Sequence, residues 1–168
     1  MILAIDPGNR ESGYCVIDYD YKPIEFGKVE NRTLENWILG SLHLPYKIDR
    51  AVIERISNYG SAVGDSVHDT NIAIGRFQRC LETARIPWEM VKRKTYIAEL
   101  IGDAKVNDSG VRMYLWDRFA NGEPNYGKGN KSNKGWFYGF KADCWQAYAI
   151  AVWSADREYE RNKNNKVY

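Results

Sequence analysis

The chain has 168 residues, 44% of them hydrophobic and 27% charged, with a formal net charge of +2. This is enough for one domain with a real core and is ordinary for a globular protein. It holds no apolar run near the roughly 18 residues of a membrane span, MILAID lacks the marks of an export signal, and the net charge alone does not announce a nucleic-acid binder.

Residues 1–6 form a short apolar run ending in an acid before Pro7-Gly8, which predicts a strand and a turn. Residues 13–18 and 23–29 read as two further strands, and the three together as an antiparallel meander. A short helix is expected over 33–42, with Thr33 as its N-cap and Gly40 fraying its end. RAVIERI (50–56) is a buried-type strand followed by the polar loop SNYGSAVG. Helical spacing of Val67, Ile72, Ile74, Phe77 and Leu81 predicts a helix over 65–85, which Pro87 ends. Residues 88–91 can form a fifth strand, followed by helices near 95–101 and 109–120. A long aromatic-rich helix is expected over 142–161, with a polar tail at 162–168 that frays.

This order gives an α/β domain over 1–161. Its five-stranded mixed sheet is flanked by helices. Hairpin links make the first three strands antiparallel, and helical crossovers make the last two parallel. Cys15, Cys80 and Cys144 lie far apart without histidine partners, so they read as small core residues in a reducing compartment. That compartment is the cytoplasm, or the host's if the source is a phage. His43 and His68 have no spaced partner and read as a surface residue and a helix residue.

Between 121 and 141, Lys128, Lys131, Lys134 and Lys141 face Glu123 alone in the sequence, among Tyr126, Trp136, Phe137, Tyr138 and Phe140. Lysines for phosphates and rings for bases suit a DNA-contacting loop. A solvated loop followed by core aromatics fits equally. Trp136, Trp145 and Trp153 read as core.

Asp6, Glu54 and Asp143 each end or interrupt an apolar element. A charge there costs several kcal/mol unless it is paired or bound to metal. If the first and fourth strands are neighbours, Asp6 faces Glu54, and a helix packed on the sheet can bring Asp143 to the same point. Oxygen-only ligands favour Mg²⁺, or Mn²⁺, over zinc. Two such ions about 3.5–4 Å apart suit phosphodiester hydrolysis. Each acid also has a plain reading: Asp6 as a turn former, Glu54 paired with Arg55 or Arg10, Asp143 at a helix N-terminus.

LAIDPGNRESGY resembles the opening strand and turn of the RuvC family of Holliday-junction resolvases. AVIERI resembles its fourth-strand motif, and KADCWQAYAIAVW its C-terminal helix. SNYGSAVGDSVHDTNIAIGRF, NDSGVRMYLWDRF and GWFYGFKADCWQAYA are similar to phage and plasmid proteins of that fold. The resemblance runs in order from residue 1 to about residue 153. It implies an RNase H-like fold, with Asp6, Glu54 and Asp143 as metal ligands of a Mg²⁺-dependent endonuclease acting on branched DNA, the four-way junction first. It also implies 5′-phosphate and 3′-hydroxyl products and a homodimer, for which the helix from Asp65 is the natural candidate.

One position departs from the family pattern. RuvC proteins carry another acid or a histidine one helical turn after the third ligand, where this chain has Gln146. The amide oxygen can hold a metal but brings no charge, which lowers affinity for a second ion. Asp108, Asp69 and Asp65 are the acids that could substitute. Tyr59 is the nearest match to an aromatic that acts at the junction in RuvC. Lys92, Arg93 and Lys94, with the lysines of the 121–141 loop, are the expected phosphate contacts. Other readings are a nuclease for flaps, forks or RNA–DNA hybrids, a non-catalytic junction binder, and an actin-like ATPase fragment, for which 168 residues leave little room.

Overall fold

In a computed structural model, which describes residues 1–56 and 64–165, the apolar run ILAID is β1 (Ile2–Asp6), the central strand. β2 (Glu11–Ile17) and β3 (Pro23–Glu30) follow as the expected meander. β4 (Arg50–Arg55) and β5 (Trp88–Lys92) add in parallel on the other side, giving five strands in the order β3-β2-β1-β4-β5.

Because side chains alternate along a strand, the sheet carries two separate apolar layers. Leu3, Ile5, Val16, Ala51 and Ile53 pack under α1 (Asn31–Gly40) and α2 (Asp65–Thr83). Ile2, Ala4, Cys15, Ile17 and Val52 pack under α6 (Ala142–Asn165), together with α3 (Arg93–Ile101) and α4 (Asp108–Ala120). Ala147, Tyr148, Ala149, Ile150, Ala151 and Val152 are all fully buried, so the middle of α6 is covered on every side. A helix enclosed in this way needs apolar residues all round, and its alanines let neighbours approach closely.

Of the boundaries that differ from expectation, those of three helices are informative. α1 begins at Asn31, with Glu30 at the N-cap, so Thr33 is inside the helix. The reason is tertiary: Asn31 Nδ2 donates to the Gly8 carbonyl at 3.0 Å and its Oδ1 accepts from the Ser12 hydroxyl at 2.7 Å. α3 begins at Arg93, directly after β5, and is capped after Ile101 by Gly102, whose φ of +91° suits a residue without Cβ. α6 runs to Asn165, four residues beyond Arg161, so part of the tail expected to fray is helical.

The 121–141 segment divides its residues between core and solvent. A single turn, α5 (Pro124–Gly127), leads to a narrow loop closed by a bridge between Gly129 and Lys134. Phe137 and Phe140 are buried against Trp145 and Tyr148, and Trp136 stacks on Phe119 with centroids 5.5 Å apart. Trp145 and Trp153 are also core residues. Cys15, Cys80 and Cys144 are buried and free. Among the described residues, no helix is long and apolar enough to cross a membrane.

Candidate active site

β1 and β4 lie side by side, and the register Ile5↔Ile53 carries Asp6 and Glu54 to neighbouring positions one residue further on. Asp6 shares the face of Ala4, and Glu54 that of Val52, so both acids point to the side covered by α6. On the other side of β1, Asp6 pairs with Gly13. A Cβ at Gly13 would stand 2.9 Å from the carbonyl oxygen of Asp143. The bare glycine therefore lets the first turn of α6 settle on the sheet and brings Asp143 beside Asp6.

The three acids share a cleft of about 470 Å³ with Arg93, Asp108, Ser109, Arg112, Trp145 and Gln146. Each carboxylate already has a partner or a penalty. Asp143 pairs with Lys28 Nζ at 2.6 Å, and Lys28 is the β3 neighbour of Gly13. Glu54 Oε2 accepts from the Tyr96 hydroxyl at 3.1 Å. Asp108 Oδ1 accepts from Arg93 Nη2 at 2.6 Å.

Burial, reinforced by the charges of Glu54 and Asp143, pushes the Asp6 carboxyl up to about 7, while Arg93 opposes the rise. Burial also raises Glu54, with Arg93 and the Tyr96 hydroxyl pulling the other way. The hydrogen bond and charge of Asp143 push the Lys28 ammonium up. An ionised carboxylate held away from water costs several kcal/mol unless a cation meets it. Asp6 thus stands where a positive charge is most wanted.

The donor set fits a hard divalent cation: desolvated carboxylate oxygens, with no thiolate or imidazole in the cleft. As they stand, no three His, Cys, Asp or Glu side chains among the described residues are drawn together to ligand spacing. Lys28 holds Asp143, and Arg93 holds Asp108.

Of the residues singled out in the sequence, Asp6, Glu54, Asp143, Gln146 and Asp108 come together here, and Asp65 and Asp69 do not line the cleft. Gln146 Oε1 accepts from Arg93 Nη1 at 2.7 Å and lies 3.4 Å from the Tyr96 hydroxyl. Lys131, Lys134 and Lys141 are exposed and Lys128 half-buried, with Lys134 Nζ 5.0 Å over the Tyr138 ring. Tyr59 lies outside the described residues. Lys28, Tyr96 and Arg112 were not legible as site residues. The signal for Lys28 was its place opposite Gly13, which needs the register of β2 on β3.

A five-stranded mixed sheet in the order β3-β2-β1-β4-β5, with helices on both faces, is the arrangement of the RNase H-like fold. No protein-family model matches the sequence, and no curated protein does. Solved structures do. Thermus thermophilus RuvC in complex with a Holliday junction substrate is similar with a TM-score of 0.64 at 15% identity, over 92% of this chain and 91% of that one. A structure of Thermus thermophilus RuvC gives 0.66 at 13% identity, over 95% and 96%. Fowlpox virus resolvase, in complex with substrate Holliday junction DNA, gives 0.52 at 13%, over 94% and 99%. The chain has the RuvC-type fold.

Proposed function

We propose that this protein is a metal-dependent endonuclease that cuts branched DNA, with the four-way junction as its first substrate. The observation that carries the reading is the convergence of Asp6, Glu54 and Asp143 in one cleft. Support also comes from the junction complexes of the two resolvases that share the fold.

Asp6, Glu54 and Asp143 would hold Mg²⁺ or Mn²⁺, which when bound supplies positive charge to the phosphate and acidifies water. A water oxygen forms the new bond to phosphorus and loses a proton to solvent. The bond from phosphorus to the 3′ oxygen breaks, that oxygen takes a proton from solvent, and the phosphate remains on the 5′ end. Burial makes Asp6 and Glu54 strong cation seekers, and Tyr96 fixes the orientation of Glu54. Lys28 holds Asp143 at the mouth until a stronger cation competes for it. Lys141, exposed two residues before Asp143, would meet the strand being cut. Lys128, Lys131 and Lys134 would meet phosphates further along, and Tyr59 would act at the branch point.

A homodimer would present two such clefts to a two-fold symmetric junction. On α2, Ile72 is 54% exposed and available for such a contact. The cytoplasm, the host's if the gene is phage-borne, is the compartment that suits three unpaired cysteines.

The test is a labelled four-way junction incubated with wild type and Asp6→Asn, in Mg²⁺ and in Mn²⁺, beside flap, fork and RNA–DNA hybrid substrates. Paired nicks by wild type and none by the variant are expected. Equal cutting by both proteins defeats the reading. Faster cutting of forks, flaps or hybrids moves the substrate and keeps the chemistry. Replacing Lys131 and Lys134 by alanine should flatten the salt dependence of junction binding by about one unit of slope for each lost phosphate contact.

A second reading, junction binding without hydrolysis, has one observation in its favour. Gln146 brings no charge to the cleft, and its oxygen is already taken by Arg93. Junction binding in Mg²⁺ with intact DNA would select it.

A further inference from the structure

Arg93 is the first residue of α3, and its guanidinium reaches two other helices. Nη1 donates to Gln146 Oε1 on α6 at 2.7 Å and to the Tyr96 hydroxyl at 3.2 Å. Nη2 donates to Asp108 Oδ1 on α4 at 2.6 Å. The side chain is 32% exposed, and its open part lines the cleft of Asp6, Glu54 and Asp143. A positive charge is thus fixed among the acids by groups on three helices.

Gln146 is the complement of this arrangement. Its amide oxygen accepts from Arg93 Nη1 at 2.7 Å and lies 3.4 Å from the Tyr96 hydroxyl, whose single proton goes to Glu54. A cation approaching that oxygen would meet the guanidinium charge bonded to it. Turning the amide over would set its NH₂ group against the guanidinium donors. The observed orientation instead leaves Nε2 buried without a hydrogen-bond partner among the described residues. A carboxylate at 146 would draw a cation to this end of the cleft, whereas the neutral amide beside a guanidinium turns one away.

We propose that Arg93 replaces a second metal ion. The site takes one divalent cation, on Asp6, Glu54 and Asp143, and the Arg93 guanidinium supplies the remaining positive charge to a non-bridging oxygen of the phosphate being cut. This rests on the nuclease reading above. The planar fork of arginine matches phosphate oxygens and keeps its charge at any working pH. Asp108 is 77% exposed, so its hold on Nη2 is screened by water, and a phosphate oxygen can displace it. No bond is made or broken at Arg93. It meets the charge that builds on the phosphoryl group, as a fixed donor does in other phosphoryl and acyl transfers.

The experiment counts Mn²⁺ bound to the full chain by electron paramagnetic resonance without DNA, then follows single-turnover cutting of a four-way junction. One ion per chain is expected for wild type and Arg93→Lys. Two are expected for Arg93→Ala combined with Gln146→Asp, which removes the guanidinium and supplies an acid. Arg93→Ala alone should slow cutting roughly 10²–10³-fold with little change in junction affinity, and Arg93→Lys should recover part of the rate. Two ions on wild type, an unchanged count in the double variant, or wild-type cutting by Arg93→Ala overturns the proposal. If the double variant does not fold, the counts for wild type and Arg93→Lys decide, since two ions on either defeats it. A wild type that cuts no branched DNA defeats the nuclease reading instead. The ion count, made without DNA, separates the two failures.

Discussion

Under α1 and α2, β1 presents Leu3 and Ile5, and β4 presents Ala51 and Ile53, all buried. Under α6 the same strands present Ile2, Ala4 and then Asp6, and Val52 and then Glu54. Both faces obey the same alternation, and they differ only at the last position. On the α6 face the helix comes down over the strand ends with its first turn, so the final pair of side chains meets a cleft instead of a packed wall. The candidate site sits where one apolar layer stops, one residue beyond where the other is still closed.

Neighbouring residues of β4 give the sharpest way to break this comparison. Glu54→Gln keeps the shape and the Tyr96 contact but removes the charge, and cutting should fall about 10³-fold or more, a loss of about 4 kcal/mol in transition-state stabilisation. Ile53→Ala faces the other layer and should cost about 2–5 kcal/mol of stability. Its cutting rate per folded molecule should stay close to that of wild type. Urea unfolding and single-turnover cutting of both variants check this. A stable, active Glu54→Gln would remove the distinction between the faces.

The Asp6 carboxyl gives the next largest effect. Its ordinary value is 3.8 in the unfolded chain and is pushed up to about 7 by burial and its acidic neighbours. Between these values the folded protein holds more protons than the unfolded chain, so without metal its stability falls as pH rises from 4 to 7. Asp6→Asn removes that penalty. It should stabilise the metal-free protein by about 1–4 kcal/mol at pH 8, with the gain shrinking toward zero near pH 4. Adding Mg²⁺ should raise the melting temperature of wild type and leave the variant nearly unmoved. Thermal melts across pH, with and without Mg²⁺, test both statements.

The five strands, their split into antiparallel and parallel pairs, and the three acids were legible in the sequence because each depends on a local pattern: the apolar runs of ILAID and AVIE, and one acid at the head of an apolar helix. The neighbouring of β1 and β4 entered only as a condition. Lys28 was not legible. Its position beside Asp143 depends on how β3 pairs with β2, and that pairing contains an irregularity between Val16 and Ile17. Nor was the joining of Arg93, Gln146 and Asp108, which sit on three helices whose docking no local periodicity encodes. The start of α1 was misplaced for the same kind of reason, since Asn31 is tied to the β1–β2 turn by side-chain bonds across the chain. For the aromatics of 121–141 composition left two readings open, and burial of Phe137 and Phe140 decides for the core in those two cases.

The smallest effects come from one substitution made at two glycines. Gly13 lies on the α6 face, where a Cβ would press on the Asp143 carbonyl at 2.9 Å. Backbone cannot yield there as a flexible side chain would, so Gly13→Ala should lift the first turn of α6 and move Asp143 away from Asp6. Mn²⁺ affinity should drop about tenfold, equal to about 1.4 kcal/mol. Gly75 is exposed within α2 on the opposite side of the sheet, and a Cβ there meets nothing within 4 Å. Its helical backbone already suits alanine, so Gly75→Ala should stabilise the fold by about 1 kcal/mol and leave Mn²⁺ binding unchanged. Melting curves and Mn²⁺ titrations on the two variants read the opposite signs directly. Equal Mn²⁺ affinity in Gly13→Ala and wild type would mean that the close approach of α6 to β2 does not set the position of Asp143.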